Sequence, residues 1–195
     1  MRRVVITGLG LISVLGINRA QVAHSLYEGI SGIVFEEERL ARGFRSGLTG
    51  RISGFDPTCF LGRKQRRSMP DFVIQCYAAV LDALKQAGLD SEDLQTDRCG
   101  LVFGNDSSVL AAQDQQKALE SSKDTSSMGS GHVFRTMTST ISMNLNVLLG
   151  NTGPSWTVSA ACASGMYAVG QAADQIRLGR LDRVICGAAQ GMNWQ

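Results

Sequence analysis

The segment Trp156-Thr157-Val158-Ser159-Ala160-Ala161-Cys162-Ala163-Ser164-Gly165 decides how this sequence is understood. Its first part is rich in aromatic and β-branched residues, which is typical of a strand, and the small residues after Cys162 are typical of a closely packed helix. A thiol at such a strand-to-helix corner projects from the backbone, and the free N–H groups of the following helix favour its thiolate form. Free cysteine is also among the most buried residue types, so a buried core cysteine is the alternative interpretation.

Outward from this segment, strand-like and helix-like patterns alternate along the chain. The predicted strands are short apolar or β-branched runs, at positions 3–7, 99–104, 155–159 and 183–187. The predicted helices carry apolar residues at helical spacing, at positions 21–30, 69–87 with Ser68 as N-cap, 132–149 and 161–178. Residues 34–60 are predicted to form an irregular connection with a short strand, and residues 113–130 a surface helix and a loop. This alternation predicts an α/β fold with right-handed crossovers and a mostly parallel sheet covered on both faces.

The composition is that of an ordinary globular protein, with 195 residues, 44% hydrophobic and 18% charged. The net charge of +2 gives no reason to expect nucleic-acid binding. No apolar run approaches the roughly 20 residues that span a bilayer, and the N-terminal apolar run is too short for a signal peptide. Five scattered cysteines without a CxxC pair are typical of reduced thiols. We therefore expect a cytoplasmic protein that does not enter a membrane.

Two patterns bear on cofactors and metals. Gly8-Leu9-Gly10 follows the first predicted strand, but Ser13 stands where a dinucleotide-binding fingerprint needs its third glycine. The pattern favours a structural glycine turn, with a nicotinamide site as the alternative. The two histidines, His24 and His132, have no second ligand at metal spacing. The sequence predicts neither a cofactor nor a metal.

The run Gly62-Arg63-Lys64-Gln65-Arg66-Arg67 concentrates four cations in five residues. A solvated face is the usual meaning of such a run, and a docking patch for an acidic partner is the functional alternative. The residues by themselves leave both interpretations open.

Several motifs resemble those of the β-ketoacyl-acyl carrier protein synthases of type I and type II, which belong to the thiolase-like superfamily. They occur in the family's order, as VVITGLG (4–10), LYEGISGI (26–33), RKQRRSM (63–69) and GPSWTVSAACASG (153–165). The resemblance implies the thiolase-like fold, in which two similar halves form a five-layer α-β-α-β-α arrangement. It implies that residues 1–195 are the N-terminal lobe with the nucleophilic cysteine, and that the C-terminal lobe is absent from this chain.

The resemblance also implies an acyltransferase reaction centred on Cys162. The thiolate accepts an acyl group from a carrier thioester, and the backbone N–H of Cys162 is a candidate oxyanion donor. Malonyl carrier is then decarboxylated, and its carbanion attacks the acyl-enzyme to give an elongated ketoacyl chain. Fatty-acid elongation is the expected pathway, because VVITGLG resembles the free-standing synthases, and polyketide or polyene extension is the alternative.

The resemblance turns the run of cations into a functional candidate. Arg63, Lys64 and Arg67 match the basic patch with which the family binds the acidic acyl carrier protein. The acyl carrier protein is therefore the expected partner.

Three further residues match positions along the family's acyl channel. Ser107 falls at the gate of the channel, although this sequence reads Gly-Asn-Asp-Ser-Ser where the family has a glycine-rich loop. Met137 and Ala161 match channel-lining or cysteine-flanking positions. The departure after the strand leaves the preferred acyl chain length open.

In the family, the second half supplies two histidines and a lysine that drive decarboxylation and condensation. His24 and His132 do not lie in the family's histidine motifs. We therefore expect a complementary C-terminal ketosynthase segment or chain as a partner, and a homo- or heterodimer whose two-fold interface lies near residues 153–159. The alternative is a non-catalytic partner or scaffold chain of a heteromeric synthase. The presence of Cys162 argues against that alternative, because such chains usually lack the cysteine.

Overall fold

A computed structural model describes residues 2–106, 108–126, 128 and 131–191 of the chain. Its helices are α1 (Arg19–Glu28), α2 (Glu37–Ala41), α3 (Arg63–Arg66), α4 (Asp71–Ala87), α5 (Ser91–Leu94), α6 (Val109–Ser122), α7 (Gly131–Thr136), α8 (Thr140–Leu149) and α9 (Ser164–Arg177). Its strands are β1 (Ile33–Phe35), β2 (Leu48–Gly50), β3 (Cys99–Gly104), β4 (Ser155–Val158) and β5 (Arg183–Ala188). The predicted α/β alternation is confirmed.

The central sheet is parallel and has the strand order β4-β3-β5. Val102 in the middle strand lies opposite Trp156 on one side and Cys186 on the other. All six residues of β3 are buried, as expected for an apolar strand with a neighbour on each side and helices over its faces. β1 and β2 form a small antiparallel hairpin, which provides the short strand predicted within residues 34–60.

The main core lies between α4, α8 and the central sheet. One face of α4 is buried, and its helix ends at Gly88, whose φ of 67° is the left-handed conformation that glycine adopts without steric cost. Cys76 belongs to this buried face, and burial raises the pKa of its thiol to about 12. The predicted helix is confirmed, although it begins at Asp71 after Pro70 and Ser68 does not cap it.

The helix predicted at 132–149 is instead two helices, α7 and α8, joined by a turn at residues 137–139. The turn contains hydroxyl residues that compete with helical backbone bonding. The Thr136 hydroxyl donates to the carbonyl of Val133 at 2.8 Å, and the carbonyl of Thr138 accepts a hydrogen bond from the Asn105 side chain at 2.8 Å. The turn between the two helices is therefore bonded to Asn105, which is distant in sequence.

The prediction of a strand at 3–7 is wrong for the part of the chain that the structure describes, because this segment pairs with no strand there. It lies instead along α4, where a Cβ atom at Gly8 would be 2.0 Å from the carbonyl oxygen of Ala83, and one at Gly10 would be 1.7 Å from that of Ala79. The two glycines thus permit close packing on a helix, in line with the structural interpretation of this loop. A cavity of about 670 Å³ separates the segment from β5.

Candidate active site

Cys162 lies in the turn between β4 and α9, and its side chain is exposed. The N–H of Ala163 donates to the carbonyl of Ala160 at 3.1 Å, and the N–H of Ser164 donates to that of Ala161 at 3.0 Å. These bonds fold the chain sharply before the helix, which begins at Ser164 rather than at the predicted residue 161. The predicted strand–cysteine–helix corner is confirmed, and the buried alternative for Cys162 is wrong.

The turn is strained next to the cysteine. Ala161 has a φ of 47°, a left-handed conformation that costs a residue with a Cβ atom on the order of 1–3 kcal/mol. Such strain persists only where neighbouring groups hold the backbone. The strain is therefore part of how Cys162 is presented.

Ser164 holds this turn, and the sequence analysis did not identify it. Its hydroxyl accepts a hydrogen bond from the N–H of Ala160 at 2.8 Å and donates one to the carbonyl of Ala161 at 2.7 Å. The side chain is only 4% exposed, so both bonds are shielded from water. The available signal was a serine two residues after the cysteine, close to the start of a helix, and it was interpreted only as a small helix residue.

The end of β3 packs directly behind the Cys162 turn. A Cβ atom at Gly104 would lie 2.4 Å from the carbonyl carbon of Ser164, so the strand and the helix start are in close backbone contact. The N–H of Asn105 donates to the carbonyl of Val158 at 3.0 Å, which continues the β3–β4 pairing. Asn105 is buried, and its Oδ1 has no hydrogen-bond partner among the described residues. The carboxyl ends of β3 and β4 thus meet where Cys162 follows.

The three predicted channel residues have different positions. Ala161 is the strained residue adjacent to Cys162. Met137 lies in the turn before α8, is 42% exposed, and its carbonyl accepts a hydrogen bond from the N–H of Thr140 at 3.1 Å. Ser107 lies outside the described residues. The cavity between the N-terminal segment and β5 is lined by neither Ala161 nor Met137, so a channel at these residues stays a prediction.

The predicted cation patch divides into three solvent-facing residues and one structural residue. Arg63 and Lys64 lie in α3 and Arg67 follows it, all three exposed. None of the three has an ion-pair partner within residues 2–106, 108–126, 128 and 131–191. Arg66 instead is half-buried and its Nε donates to the carbonyl of Leu61 at 3.1 Å. The structure therefore brings together the same three cations that the resemblance selected.

Other kinds of site find little support. Within the described ranges, no group of three or more His, Cys, Asp or Glu side chains is placed to hold a metal ion. His24 is exposed on α1 and His132 lies on α7, on separate elements. No described helix combines the length and hydropathy that crossing a membrane requires.

The sequence profile of the family described as "Beta-ketoacyl synthase, N-terminal domain" matches residues 1–194. The chain is 34% identical to the 3-oxoacyl-[acyl-carrier-protein] synthase 1 of Escherichia coli K12 and 33% identical to that of Haemophilus influenzae. Each match covers 100% of this chain and 48% of the relative. The chain thus spans about half the length of these curated relatives.

Solved ketosynthase structures share the fold at 26% sequence identity. The ishigamide ketosynthase/chain length factor superposes with a TM-score of 0.88, over 98% of this chain and 48% of that one. The ketosynthase AntDE, solved with the acyl carrier protein AntF, superposes with a TM-score of 0.82 over 99% of this chain and 52% of that one. The sheet and helices are therefore those of the N-terminal half of a thiolase-like ketosynthase, and the chain belongs to the β-ketoacyl synthase family.

Proposed function

We propose that this chain is the nucleophile-bearing half of a β-ketoacyl-acyl carrier protein synthase that elongates fatty acids in the cytoplasm. The observation that carries the proposal is the exposed thiol of Cys162 in a strained turn between β4 and α9. Curated relatives of this chain are named 3-oxoacyl-[acyl-carrier-protein] synthase, which supports the same reaction class. Residues 1–195 act as one N-terminal lobe in this proposal.

In the first step, the Cys162 thiolate attacks the carbonyl carbon of an acyl carrier thioester. The backbone N–H of Cys162 is the candidate donor to the oxyanion of the tetrahedral intermediate. The new C–S bond to Cys162 forms, the C–S bond to the carrier breaks, and the carrier thiolate takes up a proton. The strained turn serves this step because it presents the thiol to solvent on a fixed backbone.

In the second step, malonyl carrier loses carbon dioxide and the resulting carbanion attacks the acyl-enzyme. A C–C bond forms, the bond to Cys162 breaks, and the thiolate returns. In this proposal, the two histidines and the lysine that the resemblance assigns to this step belong to a complementary C-terminal segment or chain. That partner completes the enzyme, which we expect to act as a homo- or heterodimer.

The three exposed cations are the proposed binding site for the carrier protein. Arg63, Lys64 and Arg67 lie close together in sequence and have no ion-pair partner among the described residues, so an acidic helix of a carrier can approach them without displacing an ion pair seen there. A ketosynthase of this fold has been solved with its acyl carrier protein. Ser107, Met137 and Ala161 remain the proposed acyl-channel residues.

Polyketide or polyene extension is the second candidate function. Two of the solved neighbours are titled as a ketosynthase/chain length factor and as a type II PKS ketosynthase, which favours this candidate. The curated relatives named for fatty-acid synthesis favour the first. A scaffold role is disfavoured by the exposed Cys162.

Acyl transfer to Cys162 is the direct test. The full chain, alone and mixed with the second half of the Escherichia coli synthase 1, is incubated with octanoyl-carrier protein and analysed by intact mass spectrometry. We expect one octanoyl group on the chain, its loss in Cys162→Ala, and its retention in Cys59→Ala, which removes the other exposed cysteine. Labelling of Cys162→Ala, or no labelling of the unaltered chain in either sample, contradicts the proposal.

A further inference from the structure

Asn105 is the first residue after β3, and it is bonded to two backbone segments that meet at the candidate active site. Its N–H donates to the carbonyl of Val158 at 3.0 Å, and its Nδ2 donates to the carbonyl of Thr138 at 2.8 Å. Val158 lies four residues before Cys162, and Thr138 directly follows Met137. One residue therefore joins the strand that leads to the nucleophile with the turn that carries a proposed channel residue.

The side-chain bond from Asn105 is the short link between the end of β3 and the turn at residues 137–139. The N–H of Thr140 donates to the carbonyl of Met137 at 3.1 Å, but this bond lies within the start of α8 and ties the turn to nothing else. The Ser108 hydroxyl reaches the carbonyl of Met137 only at 3.5 Å, which is long for a hydroxyl donor. Within the described residues, the position of the turn relative to β3 thus depends most on Asn105.

The Asn105 side chain is buried at a cost to stability. It is 2% exposed, and its Oδ1 has no hydrogen-bond partner among the described residues. A buried acceptor without a partner disfavours the folded state. Alanine at this position would keep the backbone bond to Val158 without burying an amide. What this side chain adds is therefore its bond to the carbonyl of Thr138.

The partner of this amide fixes which chemistry position 105 needs. The carbonyl of Thr138 is an acceptor, so a turned amide would place Oδ1 against it and two acceptors would face each other. Aspartate has the shape of asparagine, but its carboxylate has acceptors only. Replacing Asn105 by aspartate therefore removes the bond to Thr138 while keeping the size of the side chain.

We propose that Asn105 is a positioning residue that holds the turn at residues 137–139 close to the end of β3, and thereby limits the length of the acyl chain that Cys162 accepts. The inference rests on the proposed acyl transfer to Cys162 and on Met137 as a channel residue. The Met137 side chain is unbranched and flexible, so the place that it can reach is determined by where its backbone is held. With the bond from Asn105 intact, the turn stays against β3 and the space for an acyl chain stays short.

The test measures which acyl chains are transferred to Cys162. The full chain, mixed with the second half of the Escherichia coli synthase 1, is incubated with carrier proteins that bear acyl groups from butanoyl to hexadecanoyl, and transfer rates are followed by intact mass spectrometry. For the unaltered chain, we expect the rate to fall steeply beyond one chain length. In Asn105→Asp, we expect the rates of the longer chains, relative to that of the best substrate, to rise on the order of tenfold, because the released turn leaves room for further methylene groups.

Two further variants separate positioning from stability. Asn105→Ala also lacks the donor but buries no unpaired polar group, so it replaces Asn105→Asp if the buried carboxylate prevents folding, and it should broaden the range of accepted chains in the same way. Asn144→Asp is the matched control, because Asn144 is also buried and its Nδ2 donates to a backbone carbonyl, that of Thr140 in its own helix, at 2.7 Å. We expect Asn144→Asp to lose stability in urea denaturation and to keep the chain-length profile of the unaltered chain.

The outcomes separate this inference from the proposed function. Transfer to Cys162 with the same chain-length profile in the Asn105 variants as in the unaltered chain rejects the positioning role and keeps the enzyme. Equal broadening in Asn144→Asp also rejects it, because the profile would then follow stability in general. A profile of the unaltered chain without an upper limit rejects it as well, since Asn105 would then limit nothing. No transfer to Cys162 in the unaltered chain rejects the proposed function, and this inference with it.

Discussion

The Cys162 turn and the cavity between residues 4–12 and β5 are held by contacts that differ greatly in sequence separation. The turn is fixed by Ser164, which bonds to backbone groups three and four positions away. Residues 4–12 form the N-terminal wall of the cavity, and this wall is fixed by hydrogen bonds between residues that are 77 and 180 positions apart. A short motif can therefore specify most of the hydrogen bonding of the turn, whereas the wall of the cavity depends on elements that are distant in sequence. Three changes test this contrast.

The largest expected effect on stability comes from a substitution in the N-terminal wall of the cavity. In Gly10→Ala the new methyl group would lie 1.7 Å from the carbonyl oxygen of Ala79, which is helix backbone and cannot move aside cheaply. We expect a loss of about 3 kcal/mol in the free energy of unfolding, measured by urea denaturation.

Gly170→Ala on α9 is the matched control, because a Cβ atom there would meet nothing within 4 Å. Alanine is the better helix former, so this variant is expected to gain about 0.5–1 kcal/mol. Equal stability changes in the two variants would show that residues 8–10 are not packed against α4.

The second-largest expected effect concerns the Ser164 hydroxyl, which holds the turn that contains Cys162. Ser164→Ala removes the hydroxyl that accepts a hydrogen bond from the N–H of Ala160 and donates one to the carbonyl of Ala161. Both bonds are lost beside the strained backbone of Ala161. We expect a loss of about 2 kcal/mol in unfolding free energy. We also expect octanoyl transfer to Cys162 to slow on the order of tenfold, because the thiol is less well placed.

Two further variants show whether position rather than stability is affected. Ser164→Thr keeps the hydroxyl and is expected to restore most of the transfer rate. Ser121→Ala removes an exposed hydroxyl that donates to the carbonyl of Lys117 in the same helix, and should change stability by less than about 0.5 kcal/mol. Normal transfer in Ser164→Ala would exclude a positioning role for this side chain.

The same contrast explains how much the sequence could predict. α4 and β3 were predicted well, because their apolar residues repeat at the period of the element they form. The strand predicted at 3–7 does not form within the described residues, because a strand needs a neighbouring strand to pair with, and local pattern cannot supply one. The break between α7 and α8 escaped prediction, since the apolar period continues across it and one of its hydrogen bonds comes from Asn105, which is distant in sequence.

Within the candidate site, motif and resemblance selected Cys162 and the three exposed cations, whose roles stay predictions. They did not locate Ser164, because a serine at the start of a helix is common and only its two backbone partners distinguish it. The strained φ of Ala161 likewise has no signature in an alanine. Residue identity indicates which chemistry is available, and three-dimensional contacts determine how the reactive group is held.

The smallest expected effect concerns the ion pair between Arg2 and Asp182, at the beginning of the N-terminal segment. Asp182 accepts two hydrogen bonds from Arg98, at 2.5 and 2.7 Å, and one from Arg2 at 2.8 Å. The hydrogen bonds from Arg98, which have the larger effect, and from Arg2 hold the pKa of the Asp182 carboxyl well below its usual value of 3.8. A lowered pKa in the folded state means that the contribution to stability is present above the unfolded pKa, and is lost as the pH falls towards the folded one.

The ion pairs of Asp182 are exposed to solvent, so their contribution to the free energy of unfolding is small and salt-sensitive. We expect the urea midpoint of the unaltered chain to fall more steeply below about pH 4 than that of Asp182→Asn, which has no carboxyl to protonate. At neutral pH, Asp182→Asn should also speed amide exchange at residues 4–8, because Arg2 loses its anchor, while Asp174→Asn, which breaks an ion pair within α9, should not. Identical pH profiles for the unaltered chain and Asp182→Asn would mean that glycine packing on α4 holds the wall without help from this ion pair.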